Sequence, residues 1–374
     1  MIYLDNGATG GFKPRAVIDS AENVIKYLNA NPGRSGHRLS ITGANIVDEC
    51  RQTVANFINC PKNKVIFTKN CTEALNTAIF ASLRVGGHII STCYEHNSVL
   101  RPLTYLHNKG LISLDIVYPT KEKNIVESIE EKINAKTYLI VTTGSSNVTG
   151  ESLPVKEIGK LCKEKNILYL LDGAQYVGHH PIDMEKYNIS MLAMATHKGL
   201  YSIMGLGALG IKEEVELSPF ILGGTGSESF NLNQPDCYPE RLESGTLNLP
   251  AIASLTEGVK YVKRNFSHFS NTLIGYTSAL IEQLKIINGV TCYSKPNPTG
   301  IVSFSCPLPS TEVADILNTE YDIAVRGGLH CAPLMHKLLK TENFGLVRAS
   351  LSVQNTTREI ASLVRAVSII CKNC

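Results

Sequence analysis

Short apolar segments alternate with amphipathic segments from Lys64 to Lys212, and this alternation restricts the chain to few architectures. The apolar segments have strand length and are Val65–Thr68, His88–Ser91, Leu114–Val117, Tyr138–Val141, Ile167–Leu171, Met191–Met194 and Leu206–Ile211. Most are apolar on both faces, which is typical of strands covered by helices above and below. Because the segments between them, such as Thr72–Leu83 and Val155–Lys163, have helical periodicity, the pattern predicts an α/β fold with a seven-stranded, mainly parallel sheet.

The chain on either side of that region has a different pattern. A helical apolar stripe entered through Pro14 comprises Val17, Ala21, Val24, Ile25 and Leu28. After Pro250 we expect a long helix around Phe266–Ile286, strands near Val290–Tyr293, Ile301–Cys306 and Ile323–Arg326, and a last helix opened by a capping box at Thr356–Glu359. The predicted organisation is an N-terminal segment with a large α/β domain over residues 1–250 and a small α+β domain over residues 251–374. We expect the N-terminal segment, roughly residues 1–25, to pack near the small domain.

Composition excludes several classes of protein. The 36 Lys and Arg residues are scattered and nearly balanced by 33 Asp and Glu residues, so no nucleic-acid partner is expected. No apolar run approaches the ~18 residues that a membrane span needs. The N-terminus lacks the basic and apolar regions of an export signal, and 11 cysteines are too dilute and odd in number for a disulfide scaffold. We therefore expect a reducing cytoplasm.

Two predicted strands are followed by residues suited to chemistry. Asp172 directly follows Ile167–Leu171, where a carboxylate is unfavourable unless a cation meets it. It is either a cap for the next helix or a carboxylate that faces a protonated heterocycle. Lys198 follows Met191–Met194 and is either a solvated loop residue or an amine at the ligand end of the sheet, where partial desolvation suits it to a Schiff base.

A third strand end has the pattern of an anion site. Asn70-Cys71-Thr72-Glu73 follows Val65–Thr68 and opens a predicted helix. Backbone N–H groups at a helix N-terminus, with the Thr72 hydroxyl, can bind a phosphate, although N-capping by Thr72 would use the same residues. Together the three strand ends supply a phosphate site, an amine for an aldehyde and a carboxylate for a pyridinium nitrogen. That combination predicts pyridoxal phosphate, whose ring acts as an electron sink.

The segment Gly205–Gly210 spells G-x-G-x-x-G, the pattern of a dinucleotide-binding loop. Such a loop follows a strand and opens a helix, whereas these glycines lie inside a predicted strand that acidic residues and Pro219 follow. We therefore do not predict a dinucleotide site. We expect the glycines to let the strand pass close under the loop that carries Lys198.

Ordered motifs extend along nearly the whole chain. They are Tyr3–Ala8, Phe67–Glu73, Glu95-His96-Asn97, Ser146–Gly150, Asp172–Gln175, Thr196-His197-Lys198, Glu243–Thr246, Ala324–Ala332 and Val347–Leu351. In these motifs the chain resembles the class V aminotransferase family, specifically its cysteine desulfurase and selenocysteine lyase branch. The resemblance implies fold type I of the pyridoxal-phosphate enzymes, which are usually homodimers.

The resemblance also implies roles for matching residues. Lys198 would carry the cofactor as a Schiff base, Asp172 would pair with the pyridinium nitrogen, and Gln175 would hydrogen-bond the phenolic oxygen. The other matches are His96 stacked on the ring and able to move protons, Asn147 near the ring oxygen and the substrate, Cys71, Thr72, Thr196 and His197 around the phosphate, and Thr246 at the phosphate of the neighbouring subunit.

Two further matches concern the substrate. Arg348 corresponds to the arginine that binds the α-carboxylate, a planar anion that suits a bidentate guanidinium. Cys331 corresponds to the nucleophile that attacks the substrate sulfur, and its cationic neighbours Arg326, His330 and His336 favour a thiolate. A zinc site of His330, Cys331 and His336 would lack an evident fourth ligand, so no metal is predicted.

The chain departs from the family pattern at three places, which affect the expected substrate and acceptor more than the fold. Asn70-Cys71-Thr72 replaces the usual Gly-Thr-Thr, Leu329-His330-Cys331 replaces His-His-Cys, and the loop Gly223–Glu228 differs from that of the best-known desulfurases. The C-terminal Cys371-Lys372-Asn373-Cys374 is interpreted as a terminus that contains two cysteines rather than as a persulfide relay.

The sequence thus predicts a cytoplasmic cysteine desulfurase, dependent on pyridoxal phosphate, that converts L-cysteine to L-alanine and forms a persulfide on Cys331. Alternatives on the same scaffold are a selenocysteine lyase, a transaminase or another β-lyase. A third class is an idle subunit of a sulfur-transfer complex, and four intact residues argue against it: Lys198, Asp172, Arg348 and Cys331. The expected partners are L-cysteine or L-selenocysteine, a second copy of the chain and a sulfur-acceptor protein.

Overall fold

The computed structural model describes residues 1–33 and 35–373. Its α-helices are α1 Arg15–Tyr27, α2 Arg38–Ile58, α3 Cys71–Ala81, α4 Asn97–Asn108, α5 Ile125–Lys132, α6 Val155–Glu164, α7 Leu249–Lys285, α8 Ser310–Tyr321, α9 Pro333–Leu339 and α10 Thr357–Lys372. Its strands are β1 Ile2–Tyr3, β2 Val65–Thr68, β3 Gly87–Thr92, β4 Ile112–Val117, β5 Thr137–Thr143, β6 Leu168–Asp172, β7 Met191–Ala195, β8 Gly207–Ile211, β9 Thr291–Cys292, β10 Ile301–Ser305, β11 Ile323–Ala324, β12 Arg326–Gly328 and β13 Leu346–Ser350. Within these described ranges, no helix is both long enough and apolar enough to cross a membrane.

The central sheet has seven strands in the order β2-β8-β7-β6-β5-β3-β4. Only β8 runs antiparallel to its neighbours, β2 and β7. Alternate residues of one strand enter two different apolar cores, as Ile89 and Ile90 of β3 do, because helices cover both faces of the sheet. The predicted seven-stranded, mainly parallel sheet is confirmed.

A second sheet, of order β12-β13-β10-β9, is antiparallel throughout. Its core includes Phe304, Val347 and Leu363, together with Leu4 from the start of the chain. The segment Ile323–Arg326, predicted as one strand, is divided between β11, which pairs with β1, and β12, which joins the second sheet. The last helix has the predicted capping box, with the Thr356 hydroxyl accepting from the Glu359 backbone N–H.

Helix α7 begins at Leu249, well before the Phe266 that the sequence predicted, and is 37 residues long. Its first turns are buried on nearly every side, where α7 packs against α1 and α2, so they lack the single apolar stripe of a surface helix. Pro250 lies in the first turn, where proline breaks no helical hydrogen bond. The domain boundary between residues 250 and 251 stays a prediction, and α7 crosses it.

Candidate active site

A cavity of about 120 Å³ lies at the carboxyl ends of β2, β5, β6 and β7. The predicted residues that line it are Cys71, Thr72, His96, Asn147, Asp172, Gln175, His197 and Lys198. They meet because parallel register places Thr143, Asp172 and Ala193 side by side at one edge of the sheet.

Asp172 is buried and does not cap a helix. Its Oδ1 accepts from the Ala174 backbone N–H at 2.9 Å and from the Cys71 thiol at 3.7 Å. In the described chain no helix begins between Asp172 and β7, so the capping alternative is wrong. Burial raises the pKa of the carboxyl, while the Ala174 N–H and the Lys198 amine oppose that rise. Both contacts use Oδ1, and the carboxyl lines the cavity.

Lys198 lines the cavity beside this carboxyl. Within residues 1–33 and 35–373, no acceptor lies within hydrogen-bond distance of its Nζ and no carboxylate within ion-pair distance. Burial lowers the pKa of the amine, and the guanidinium of Arg348 lowers it further. This is the environment of an amine prepared for nucleophilic attack, not that of a solvated loop lysine.

The N-terminus of α3 presents unpaired backbone donors to the cavity. Asn70 is the N-cap, since its Oδ1 accepts from the Glu73 N–H at 2.9 Å, and the alternative of capping by Thr72 is wrong. The N–H groups of Cys71 and Thr72 have no acceptor among the residues that the structure describes. With the positive end of the helix dipole behind them, they are suited to an anion.

Gly207 explains why glycines lie in β8. A Cβ on Gly207 would lie 2.3 Å from the carbonyl carbon of Asn70, so only glycine lets β8 pass this close to the start of α3. The expected close approach is therefore to the N-terminus of α3 rather than to the loop of Lys198. The glycine pattern lies within and just before β8, and no helix follows in the described chain until α7, as we predicted in rejecting a dinucleotide site.

His96 has a fixed proton arrangement. It is the N-cap of α4, and its Nδ1 accepts from the backbone N–H of Ser98 at 3.0 Å. An amide N–H can only donate, so the neutral ring carries its proton on Nε2. Burial, with the positive charges of Lys198 and Arg326, lowers the pKa of His96 to about 4, so the ring is neutral at pH 7.

Arg348 is almost completely enclosed, with 1% of its surface exposed. Its Nη2 donates to Asp5 Oδ1 at 2.8 Å and its Nη1 to the main-chain oxygen of Asn147 at 3.0 Å. Its Nε is buried without a partner in the described chain. Sequence reasoning missed the role of Asp5, whose only signal was a carboxylate two residues after a short first strand.

Cys331 lies in a loop between β12 and α9 that is held in an unusual conformation. His330 and Cys331 both have left-handed backbones, with φ of 49° and 58°, which cost roughly 1–2 kcal/mol per residue. Asn147 Nδ2 donates to the His330 carbonyl at 2.6 Å and the Asn97 N–H to the Cys331 carbonyl at 2.7 Å. Arg326 Nη2 lies 3.8 Å from the half-buried Cys331 sulfur. The loop is thus fastened to the cavity wall with a guanidinium beside the thiol.

The N-terminal segment contacts two residues that line the cavity, Gln175 and His197. Gln175 Nε2 donates to the Gly7 carbonyl at 2.8 Å, which leaves its second N–H for a ligand. His197 Nδ1 contacts the Thr9 hydroxyl at 3.0 Å, and burial lowers the pKa of His197 to about 4. The predicted ligand contacts of both side chains stay predictions.

Four predicted site residues are not among those that line the cavity: Thr196, Thr246, Cys331 and Arg348. The Thr196 hydroxyl donates to the Leu206 carbonyl at 2.7 Å, and Thr246 is exposed on the irregular segment before α7. Their proposed phosphate contacts therefore stay predictions, that of Thr246 with a second subunit. No three His, Cys, Asp or Glu side chains of the described residues are grouped as metal ligands. Of the two terminal cysteines, Cys374 lies outside the described residues.

The sequence model of the family described as aminotransferase class-V matches residues 2–363. The chain belongs to the class V aminotransferase family. A probable cysteine desulfurase of Pyrococcus abyssi is 33% identical, with all of this chain and 95% of the relative covered. One of Methanothermobacter thermautotrophicus is also 33% identical, over 97% and 92% of the two chains. The apo structure of a cysteine desulfurase from Thermococcus onnurineus superposes with a TM-score of 0.91 at 31% identity, covering 100% of this chain and 95% of the other. The predicted fold type I is confirmed.

Proposed function

We propose that this protein is a pyridoxal-phosphate-dependent cysteine desulfurase, which converts L-cysteine to L-alanine and receives the sulfur on Cys331. The observation that carries the proposal is the Cys331 thiol beside Arg326, in a loop hydrogen-bonded to the wall of the Lys198 cavity. A transaminase has no use for a nucleophilic thiol at this place. The full-length similarity to proteins named probable cysteine desulfurase supports the same conclusion.

The cavity residues fit pyridoxal phosphate. The unpaired N–H groups of Cys71 and Thr72 suit the phosphate, the unpartnered Lys198 amine suits the aldehyde, and Asp172 Oδ2 suits a protonated ring nitrogen. When bound, the cofactor would supply an electron sink that makes the Cα proton of the substrate acidic. The chemistry of the donor set therefore agrees with the cofactor of the family.

Protein groups would bind the substrate and move its Cα proton. The Arg348 guanidinium would hold the α-carboxylate, and Asp5 and Asn147 fix its plane. The Lys198 amine, with its lowered pKa, would take the proton from Cα. His96 is neutral with its proton on Nε2, so it would donate a hydrogen bond rather than act as a base through that nitrogen.

The sulfur step balances without any external oxidant. The Cys331 thiolate attacks the substrate sulfur, an S–S bond forms, and the Cβ–S bond breaks. The electron pair of that bond stays on the carbon side and takes up a proton to give the methyl group of alanine. The carbon is reduced by two electrons and the sulfur pair is oxidised by two, leaving Cys331 as a persulfide.

A homodimer, a cytoplasmic location and a sulfur-acceptor protein complete the proposal. Thr246 is exposed in the single chain, which suits a contact with the phosphate of a second subunit. No disulfide joins the cysteines of the described residues, which suits a reducing compartment. A persulfide on Cys331 blocks a second turnover until a thiol accepts the sulfur, so catalysis requires an acceptor.

Product analysis tests the proposed function. The purified protein, loaded with cofactor, is incubated with L-cysteine, and alanine is measured together with the mass of the peptide that contains Cys331. We expect alanine and one added sulfur on that peptide, loss of both in Cys331→Ser, and retention of both in the control Cys237→Ser, whose thiol is exposed. Full alanine production by Cys331→Ser would overturn the mechanism and favour a β-lyase, while absence of visible absorbance from the loaded protein would favour the idle subunit. A parallel assay with L-selenocysteine tests the lyase alternative.

A further inference from the structure

Three side chains of the cavity wall form a hydrogen-bonded chain that no motif of the sequence indicated. The Thr72 and Ser98 hydroxyls lie 2.8 Å apart, and the Ser98 hydroxyl lies 2.9 Å from His96 Nδ1. All three residues line the same cavity. Ser98 therefore lies between the anion site at the start of α3 and the imidazole of His96.

The hydrogen bonds of His96 Nδ1 determine which atom is the donor in each contact of this hydrogen-bonded series. His96 Nδ1 already accepts from the Ser98 backbone N–H, so it holds a lone pair and cannot donate to the Ser98 hydroxyl. The Ser98 hydroxyl must be the donor in its contact with Nδ1. Its one proton is then used, so in its contact with Thr72 it is the acceptor and Thr72 is the donor. The protons point from Thr72 through Ser98 to His96.

An anion at the start of α3 would reverse this order. A phosphate oxygen accepts hydrogen bonds and donates none, so it would draw the Thr72 hydroxyl proton toward itself. The Thr72 and Ser98 oxygens would then have no proton between them. To restore that hydrogen bond, the Ser98 hydroxyl would turn its own proton toward Thr72. That rotation would leave His96 Nδ1 with only its backbone donor, and a nitrogen that accepts fewer hydrogen bonds is more basic.

We propose that Ser98 is a positioning residue that couples the filling of the phosphate site to the hydrogen bonding of His96 Nδ1. The inference rests on the proposed cofactor site, but it does not depend on which reaction the enzyme catalyses. Its consequence is that His96 becomes more able to accept a proton only when the phosphate site is filled.

Nitrogen NMR of the histidine rings tests this coupling. The full chain, labelled with ¹⁵N-histidine and stripped of cofactor, is titrated with inorganic phosphate, while calorimetry follows binding. The His96 signals are identified by their absence in His96→Gln. We expect phosphate to shift the Nδ1 resonance of His96 in the parent protein and in Ser98→Thr, which retains the hydroxyl. In Ser98→Ala we expect phosphate to bind without that shift.

The variant Thr72→Val is the second arm. It keeps the backbone N–H groups and Ser98 but has no hydroxyl to turn toward the anion, so the His96 signal should stay still while phosphate binds. If Ser98→Ala no longer binds phosphate, Thr72→Val still tests whether the hydroxyl series couples the phosphate site to His96. An unchanged shift in Ser98→Ala or Thr72→Val overturns the proposal, as does a parent protein whose Nδ1 signal does not respond. A failure to form alanine from L-cysteine would contradict the desulfurase function alone.

Discussion

The cavity that holds Lys198 and the neighbouring loop that carries Cys331 are positioned by different means. On the cofactor side, Asp172 is the last residue of β6 and Lys198 lies three residues beyond β7, so sheet register determines where they lie. On the sulfur side, Cys331 belongs to no strand or helix and has a left-handed backbone. Its position depends on hydrogen bonds from Asn97 and Asn147 to the loop carbonyls.

This difference indicates that the sheet edge and the Cys331 loop have different mobility and therefore suit different tasks. Register in a buried sheet cannot slip without reversing the faces of a strand, so the cofactor side is rigid. A strained loop can move when its few hydrogen bonds break, which suits the proposed role of Cys331 in taking sulfur from a substrate and passing it on. Substitutions on the strand side should therefore abolish cofactor chemistry, whereas substitutions on the loop side should leave the cofactor bound and stop sulfur transfer.

The largest expected effect is that of Lys198→Ala. Without its amine the protein has no group in the cavity to bond to the aldehyde, so turnover should be undetectable. Borohydride reduction followed by peptide mapping should place the cofactor on Lys198 in the parent protein. Labelling of any other lysine would show that Lys198 is not the residue that binds the cofactor.

Asp172→Asn should have the next largest effect. A neutral amide cannot hold the proton of a pyridinium nitrogen, and loss of a hydrogen bond to a charged group, at about 1.5–3 kcal/mol, corresponds to a rate roughly 10- to 100-fold lower. Cofactor affinity, measured by equilibrium dialysis, should fall as well. Turnover close to that of the parent would mean that the carboxylate has only a structural role.

Arg326→Met tests the loop side alone. Its guanidinium lies 3.8 Å from the Cys331 sulfur, a long contact, so we expect a decrease of about tenfold in persulfide formation. Visible absorbance and cofactor affinity should match those of the parent. A loss of cofactor in this variant would show that the two sides are not independent.

The smallest effect on activity is expected at Glu95, on the strand side, where the substitution changes stability instead. This carboxyl is fully buried, its Oε2 has no partner in the described chain, and burial, with the nearby Asp172, raises its pKa to about 8. An unfolded Glu has a pKa near 4.3, so between about pH 4 and 8 the folded state retains a proton that the unfolded state has lost, and stability falls as pH rises. Glu95→Gln removes this dependence, so urea unfolding should show the variant gaining stability relative to the parent from pH 5 to pH 8.5. A difference that does not change with pH would place Glu95 in a more polar environment.

The sheet and most cofactor-side residues could be predicted because their signals are local. Buried strands such as Tyr138–Val141 are continuous apolar runs, and the residue that follows such a strand must lie at the ligand edge. Helix α7 was mispredicted at its start because burial on nearly every side removes the periodicity that sequence reasoning needs. The division of Ile323–Arg326 between two sheets depends on partners distant in sequence, which no local pattern specifies.

The contacts within the site were harder to predict than its members. Nothing near Thr72 in the sequence indicates Ser98 as its partner, since 26 residues separate them. Likewise Asp5 meets Arg348 across 343 residues. The capping alternative at α3 named Thr72, whereas Asn70 is the cap, because both residue types cap helices and only geometry distinguishes them.

The pairing of β1 with β11 constrains how the protein is made. Ile2 and Tyr3 pair with Ile323 and Ala324, so residues that are made early must wait for partners that are made much later. At roughly 5–20 residues per second, that wait is on the order of tens of seconds. During this interval Asp5 has no guanidinium to meet and Gly7 has no Ser350 hydroxyl to donate to. A nascent chain can therefore build the central sheet before Arg348 and Ser350 are made, and the contacts that fix Asp5 and Gly7 form only after that sheet.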